Sequence, residues 1–150
     1  MKRISLIIIL ISIVFCGLTS AQYKGTGIGV ILAKPTGLNL KVWNRGNSAF
    51  VFGLAWSSDD DSWHIHADYI LHSFNLIRGD RKRLAFYYGI GGRVTEDEKD
   101  LRAGVRIPLG INYFFKSVPL DLFFEFVPVF DLTPATDLQY LGGFGIRYFF

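Results

Sequence analysis

The sequence predicts an all-β protein: an eight-stranded antiparallel up-and-down transmembrane β-barrel. Three observations predict it. The chain starts like a secreted one, it divides into eight segments of period-two alternation, and charge is segregated to one face of those segments. Period-two patterning marks a strand whose two faces meet different surroundings.

Residues 1–21 read as a cleaved signal peptide. Lys2-Arg3 is a basic start, Ile4 to Phe15 an apolar run, and Thr19-Ser20-Ala21 a small-residue cleavage site. The domain expected to remain is 22–150, a single barrel with no room for a second catalytic domain. Phe15 is too bulky a neighbour for lipoprotein processing at Cys16, and that cysteine is removed with the leader, excluding disulfide and thiol chemistry. Half of the residues are hydrophobic and 16% are aromatic. After residue 21, however, no apolar run approaches the roughly 18 residues of a spanning helix. Sixteen glycines weaken a helical reading further. The net charge of +3 drops to about +1 without Lys2 and Arg3, too little to steer nucleic acid.

The expected strands are Tyr23–Ala33, Leu38–Asn44, Ala49–Ser57, Trp63–Asn75, Leu84–Val94, Leu101–Phe115, Leu120–Phe130 and Leu138–Phe150. Turn chemistry separates them: Lys34-Pro35-Thr36-Gly37, Arg45-Gly46-Asn47, Ser58–Ser62, Arg78-Gly79-Asp80, Thr95–Asp100, Lys116–Val118 and Asp131–Asp137. An even count of segments near ten residues suits tilted membrane strands.

In the last four strands one face carries no charge. It runs from Leu84, Phe86 and Tyr88 through Ile107, Ile111 and Phe124 to Tyr140 and Phe150. The other face holds Arg93, Arg102, Arg106, Asp121, Glu125 and Arg147, together with Asn112 and Gln139. A charge facing lipid costs roughly 2–4 kcal/mol at the midplane, so a bilayer enforces this division. A soluble barrel of inverted polarity has the same period. Two features argue against it: aromatics crowd the apolar face, and most strand glycines, among them Gly53, Gly91, Gly104, Gly110 and Gly145, lie on the polar one. Eight strands enclose a lumen barely wide enough for side chains, so glycines belong inside, beside long charged neighbours.

The last strand alternates Phe144, Ile146, Tyr148 and a final Phe150. This pattern resembles the terminal signal read by the barrel assembly machinery. With both termini periplasmic, Asp59-Asp60-Asp61 and Glu96 to Asp100 face outward, and Arg45, the Arg78–Arg83 cluster and Lys116 face the periplasm. The outer loops are short.

Two polar groups could carry chemistry. His64, His66, Asp68 and His72 share the inward face of one strand. Same-face neighbours stand about 7 Å apart, so only adjacent pairs could chelate one ion, and polar filling of the lumen is the expected role rather than a metal site. The second group is an ion-pair network of Arg93, Arg102, Arg106, Asp121, Glu125 and Arg147. Simple hairpin registers place Glu125 beside Gly110 and Gly145, within reach of Arg106 or Arg147. Buried charges in a narrow lumen require partners. Ser73 adjoins His72 but points the other way, so no nucleophile–base pair forms and no enzymatic activity is expected. Gly89-Ile90-Gly91-Gly92 precedes no helix and is no phosphate loop. Trp43, Trp56 and Trp63 suit packing or interface girdles.

The sequence resembles a family of small OmpA-like barrels, known mostly from spirochaetes and largely without assigned activity. The resemblance rests on Lys34-Pro35-Thr36-Gly37, His64-Ile65-His66-Ala67-Asp68-Tyr69, Tyr87 to Arg93, Val105 to Gly110, Pro119-Leu120-Asp121 and Gly143 to Phe150. Lys34 stands where an acidic residue is usual. The resemblance implies an outer-membrane barrel and names no catalytic residue. The expected role is structural or envelope-maintaining, with a surface-binding adhesin or a small gated channel as alternatives. The expected partners are outer-membrane lipid, the assembly machinery and periplasmic chaperones; a monomer without cofactor or nucleic acid is expected.

Overall fold

The computed structural model describes residues 25–33, 36–57, 61–75, 83–97 and 100–150. The expected signal peptide, Tyr23, Lys34-Pro35, Asp59-Asp60 and most of the Arg78–Arg83 cluster lie outside the described residues. Nine strands form among those described: β1 (Thr26–Leu32), β2 (Gly37–Trp43), β3 (Ser48–Ser57), β4 (Ser62–Ser73), β5 (Leu84–Asp97), β6 (Asp100–Arg106), β7 (Leu109–Phe114), β8 (Leu120–Thr133) and β9 (Asp137–Phe149). All pairings are antiparallel; strands pair with chain neighbours except that β5 also pairs β7 and β6 pairs β8, and β9 returns to β1, so the sheet closes.

The barrel has eight walls, because β6 and β7 lie end to end between β5 and β8. Pro108 interrupts this sixth wall. Gly89 donates to the Pro108 carbonyl at 3.0 Å, and Ile107 donates to the Pro128 carbonyl at 2.9 Å. Neither proline nitrogen can donate in return, so the ladder thins without the wall parting.

The β5–β6 and β8–β9 hairpins outrun expectation. β5 and β6 stay paired to Asp97 and Asp100, and β8 continues past Phe130 until Asp131 faces Asp137. Backbone pairing needs no apolar face, so it persists where side chains turn acidic. The added residues extend one register, in which Phe130 faces Leu138. Glu125 lies opposite Gly110 and Gly143, not Gly145, whose partner is Phe123.

Inside, glycines face large side chains directly across the ladder: Gly53 faces His66, Gly91 Asp68, Gly110 Tyr87, and Gly29 Arg147. A Cβ added to Gly29 would lie 2.6 Å from Cγ of Arg147, which shows how fully these gaps are used. Outside, apolar side chains are exposed around the barrel, from Ile28 and Leu38 through Phe52, Ile65 and Ile90 to Phe124 and Phe144. Aromatic pairs mark the end where the chain terminates: Tyr113 with Phe115 at 5.1 Å and Tyr148 with Phe150 at 5.4 Å between centroids. Below, this is the terminal end; the end carrying the β1–β2, β3–β4, β5–β6 and β8–β9 connections is the distal end.

Candidate functional site

Alternation aims one set of side chains from every wall into the lumen, where three charged tiers stack. The tier nearest the terminal end centres on Asp121, which is fully buried. Arg147 grips it through two bonds, Nε to Oδ1 at 2.9 Å and Nη2 to Oδ2 at 3.0 Å. Such bidentate pairs combine charge with fixed geometry. Asn112 donates to Oδ2 at 3.0 Å, and Lys41 Nζ stands 3.6 Å from the same oxygen. Lys41 also donates to Asn112 Oδ1 at 3.0 Å, and Arg147 Nη1 to Asn39 Oδ1 at 3.0 Å.

His72 completes this tier. Its Nδ1 lies 3.0 Å from the Asn47 carbonyl, which can only accept, so Nε2 is left to accept from Lys41 at 2.8 Å. Aromatic rings line the cations: Lys41 Nζ sits 4.3 Å from the Trp43 ring and the Arg147 guanidinium 3.9 Å from that of Phe123. Trp43, Ala49, Ala85, Phe114 and Phe149 are buried together in the apolar packing of this end.

The middle tier joins Asp68, Arg106, Glu125 and Tyr87. Arg106 Nε lies 3.0 Å from Asp68 Oδ1, and Nη2 lies 3.5 Å from Glu125 Oε1. The Asp68 contact is close but poorly aligned for a hydrogen bond, so its attraction is mainly coulombic. Tyr87 donates to Glu125 Oε2 at 3.0 Å. His64 and His66 lean together, Nε2 to Nδ1 at 3.1 Å, with Arg106 Nη1 3.5 Å from His64. In the distal tier Arg93 binds Asp131 through two bonds, 3.1 and 2.7 Å, and Gln139 at 2.8 Å.

The structure thus places Arg93, Arg106, Asp121, Glu125 and Arg147 in the lumen, each with a partner of opposite charge. Arg102 stands apart, half-buried at the distal mouth, with no hydrogen bond or ion pair to a described residue. The strand of histidines is divided: His64, His66 and Asp68 gather near Arg106, while His72 belongs to the Lys41 tier. Among the described residues no group of three metal-ligating side chains converges. Phe144, Ile146, Tyr148 and Phe150 lie on the outer face of the closing wall, and Phe150 N bonds to Thr26 O at 2.9 Å.

Four participants escaped the sequence reading: Asn39, Lys41, Tyr87 and Asp131. Alternation of Leu38, Leu40 and Val42 with Asn39 and Lys41 carries the signal for the first two. Asp131 was expected in a turn, and only the longer β8 brings it inside. The arrangement holds charge tightly, and Ser73 points away from His72.

No protein-family profile matches the sequence, and no curated protein is significantly similar to it. Solved structures do share its architecture. The N-terminal β-barrel domain of Pseudomonas aeruginosa OprF superposes with a TM-score of 0.61 at 13% identity, covering 83% of this chain and 95% of that one. Neisserial surface protein A gives a TM-score of 0.52 at 12% identity, covering 83% and 93%. With its apolar exterior and closed eight-walled sheet, the chain shares the antiparallel β-barrel fold of these two proteins.

Proposed function

We propose that the protein is an integral outer-membrane barrel with a structural or envelope-maintenance role, and that its lumen is shut by its own ion pairs. The observation that carries this reading is the Asp121 tier. Asn39, Lys41, Asn112, Asp121 and Arg147 are each at most 2% exposed and bonded to one another across the lumen. Such a plug leaves water no continuous path, and breaking it would strand buried charges.

The exposed apolar belt supports insertion into lipid, since an apolar surface this extensive would be untenable in water. The leader at 1–21 supports export to the periplasm, and the alternating C-terminal aromatics support handling by chaperones and the assembly machinery. Both termini then face the periplasm, the protein acts as a monomer, and it performs no catalysis. The resemblance of the motifs from Lys34-Pro35-Thr36-Gly37 to Gly143–Phe150 supports kinship with small spirochaete-type barrels as part of the same proposal.

Planar-bilayer recording of refolded protein tests the reading. Electrically silent insertion is expected; stable unit openings would replace the shut barrel with a channel.

A further inference from the structure

Distal to the plug the lumen widens into a cavity of about 220 Å³, smaller than the roughly 300–1,000 Å³ of drug-sized sites. Its two walls differ. Ile31, Ala55, Val127 and Leu141 form an apolar one, whereas His64, His66, Arg93, Arg102 and Arg106 form the other. Glu125 is the carboxylate on the lining, and it is engaged by Tyr87 and Arg106. Asp131 and Asp68 lie off the lining and turn towards Arg93 and Arg106, and Asp137, which shares the adjoining cleft with Arg102 and Asp131, accepts from Gln139.

We propose that this cavity binds a small amphipathic anion, an aromatic or short-chain carboxylate, with the carboxylate held by Arg102 at the mouth and the hydrocarbon against Leu141 and Val127. Arg102 is the guanidinium on this lining that has no partner among the described residues, and its planar fork suits a carboxylate. Arg93 and Arg106 are already occupied, but their charge raises the potential of the wall behind it. A cation would be repelled by three guanidinium groups. A purely polar anion such as phosphate would leave the apolar wall without a partner. The site goes beyond the shut-barrel reading and does not need the plug to open.

The test is calorimetric titration of refolded protein in zwitterionic lipid nanodiscs, with empty nanodiscs subtracted. Benzoate, benzyl alcohol, benzylamine and inorganic phosphate are the probes. Benzoate should bind at least about tenfold more tightly than the other three, and Arg102→Gln should weaken it by about tenfold. Leu141→Asn should weaken benzoate while leaving phosphate unchanged. Heat-modifiable gel mobility confirms that each variant is folded. The proposal is overturned if benzyl alcohol or phosphate matches benzoate, or if folded Arg102→Gln binds as the parent does. Benzoate binding by a barrel that stays electrically silent would support both readings; conductance with undiminished benzoate binding would remove only the shut lumen.

Discussion

Asp121 shows how single side chains hold this lumen. Its carboxylate faces Arg147, Lys41 and Asn112 with no exposure to solvent. Asp121→Ala leaves two buried cations against one another and should cost about 3–5 kcal/mol, read by urea unfolding in lipid vesicles. A loss below about 1 kcal/mol would mean that water reaches the tier. The glycines make a second, opposed pair of predictions. His66 fills the space above Gly53, so Gly53→Val should cost about 1–3 kcal/mol through overpacking. Gly92 points outward, with its nearest neighbour 3.8 Å from an added Cβ, so Gly92→Val should fall within about 0.5 kcal/mol of the parent. Equal effects at the two sites would contradict the assigned faces.

At the scale of elements, alternation alone revealed most walls, because lipid and lumen impose opposite demands on successive residues. The sixth wall was legible as one continuous strand, and its break was not. Pro108 keeps the inward parity of Arg106 and Gly110 on either side, so the pattern continues while a backbone donor is lost. Pro108→Ala should let the new amide at position 108 bond to the Gly89 carbonyl. Stability should hold or rise by about 0.5–1.5 kcal/mol, and hydrogen exchange should show that amide protected. Free exchange there would place the break elsewhere than in the missing donor.

For the whole molecule, closure is made by β9 against β1, with Phe149 opposite Gly27 and Arg147 opposite Gly29. Phe150 sits at that seam but packs only on the outer face, beside Tyr148. Phe150→Ser should therefore lower the amount of heat-modifiable barrel assembled in cells, yet leave refolding of the purified chain into vesicles unchanged. Unaltered cellular assembly would count against a recognition role. The sequence by itself determined the barrel class, the faces of the walls, and the inward placement of Arg93, Arg106, Asp121, Glu125 and Arg147, since period two records which environment a side chain meets. It could not say which charges meet. Arg147 reaches Asn39, Lys41 reaches Asn112, and Arg93 reaches an Asp131 that lay in an expected turn. Those pairings depend on hairpin register and on the shear with which the sheet closes, and a shift of two residues keeps every face while changing every partner. Only the closed tertiary structure decided them, and with them which guanidinium was left over at the mouth.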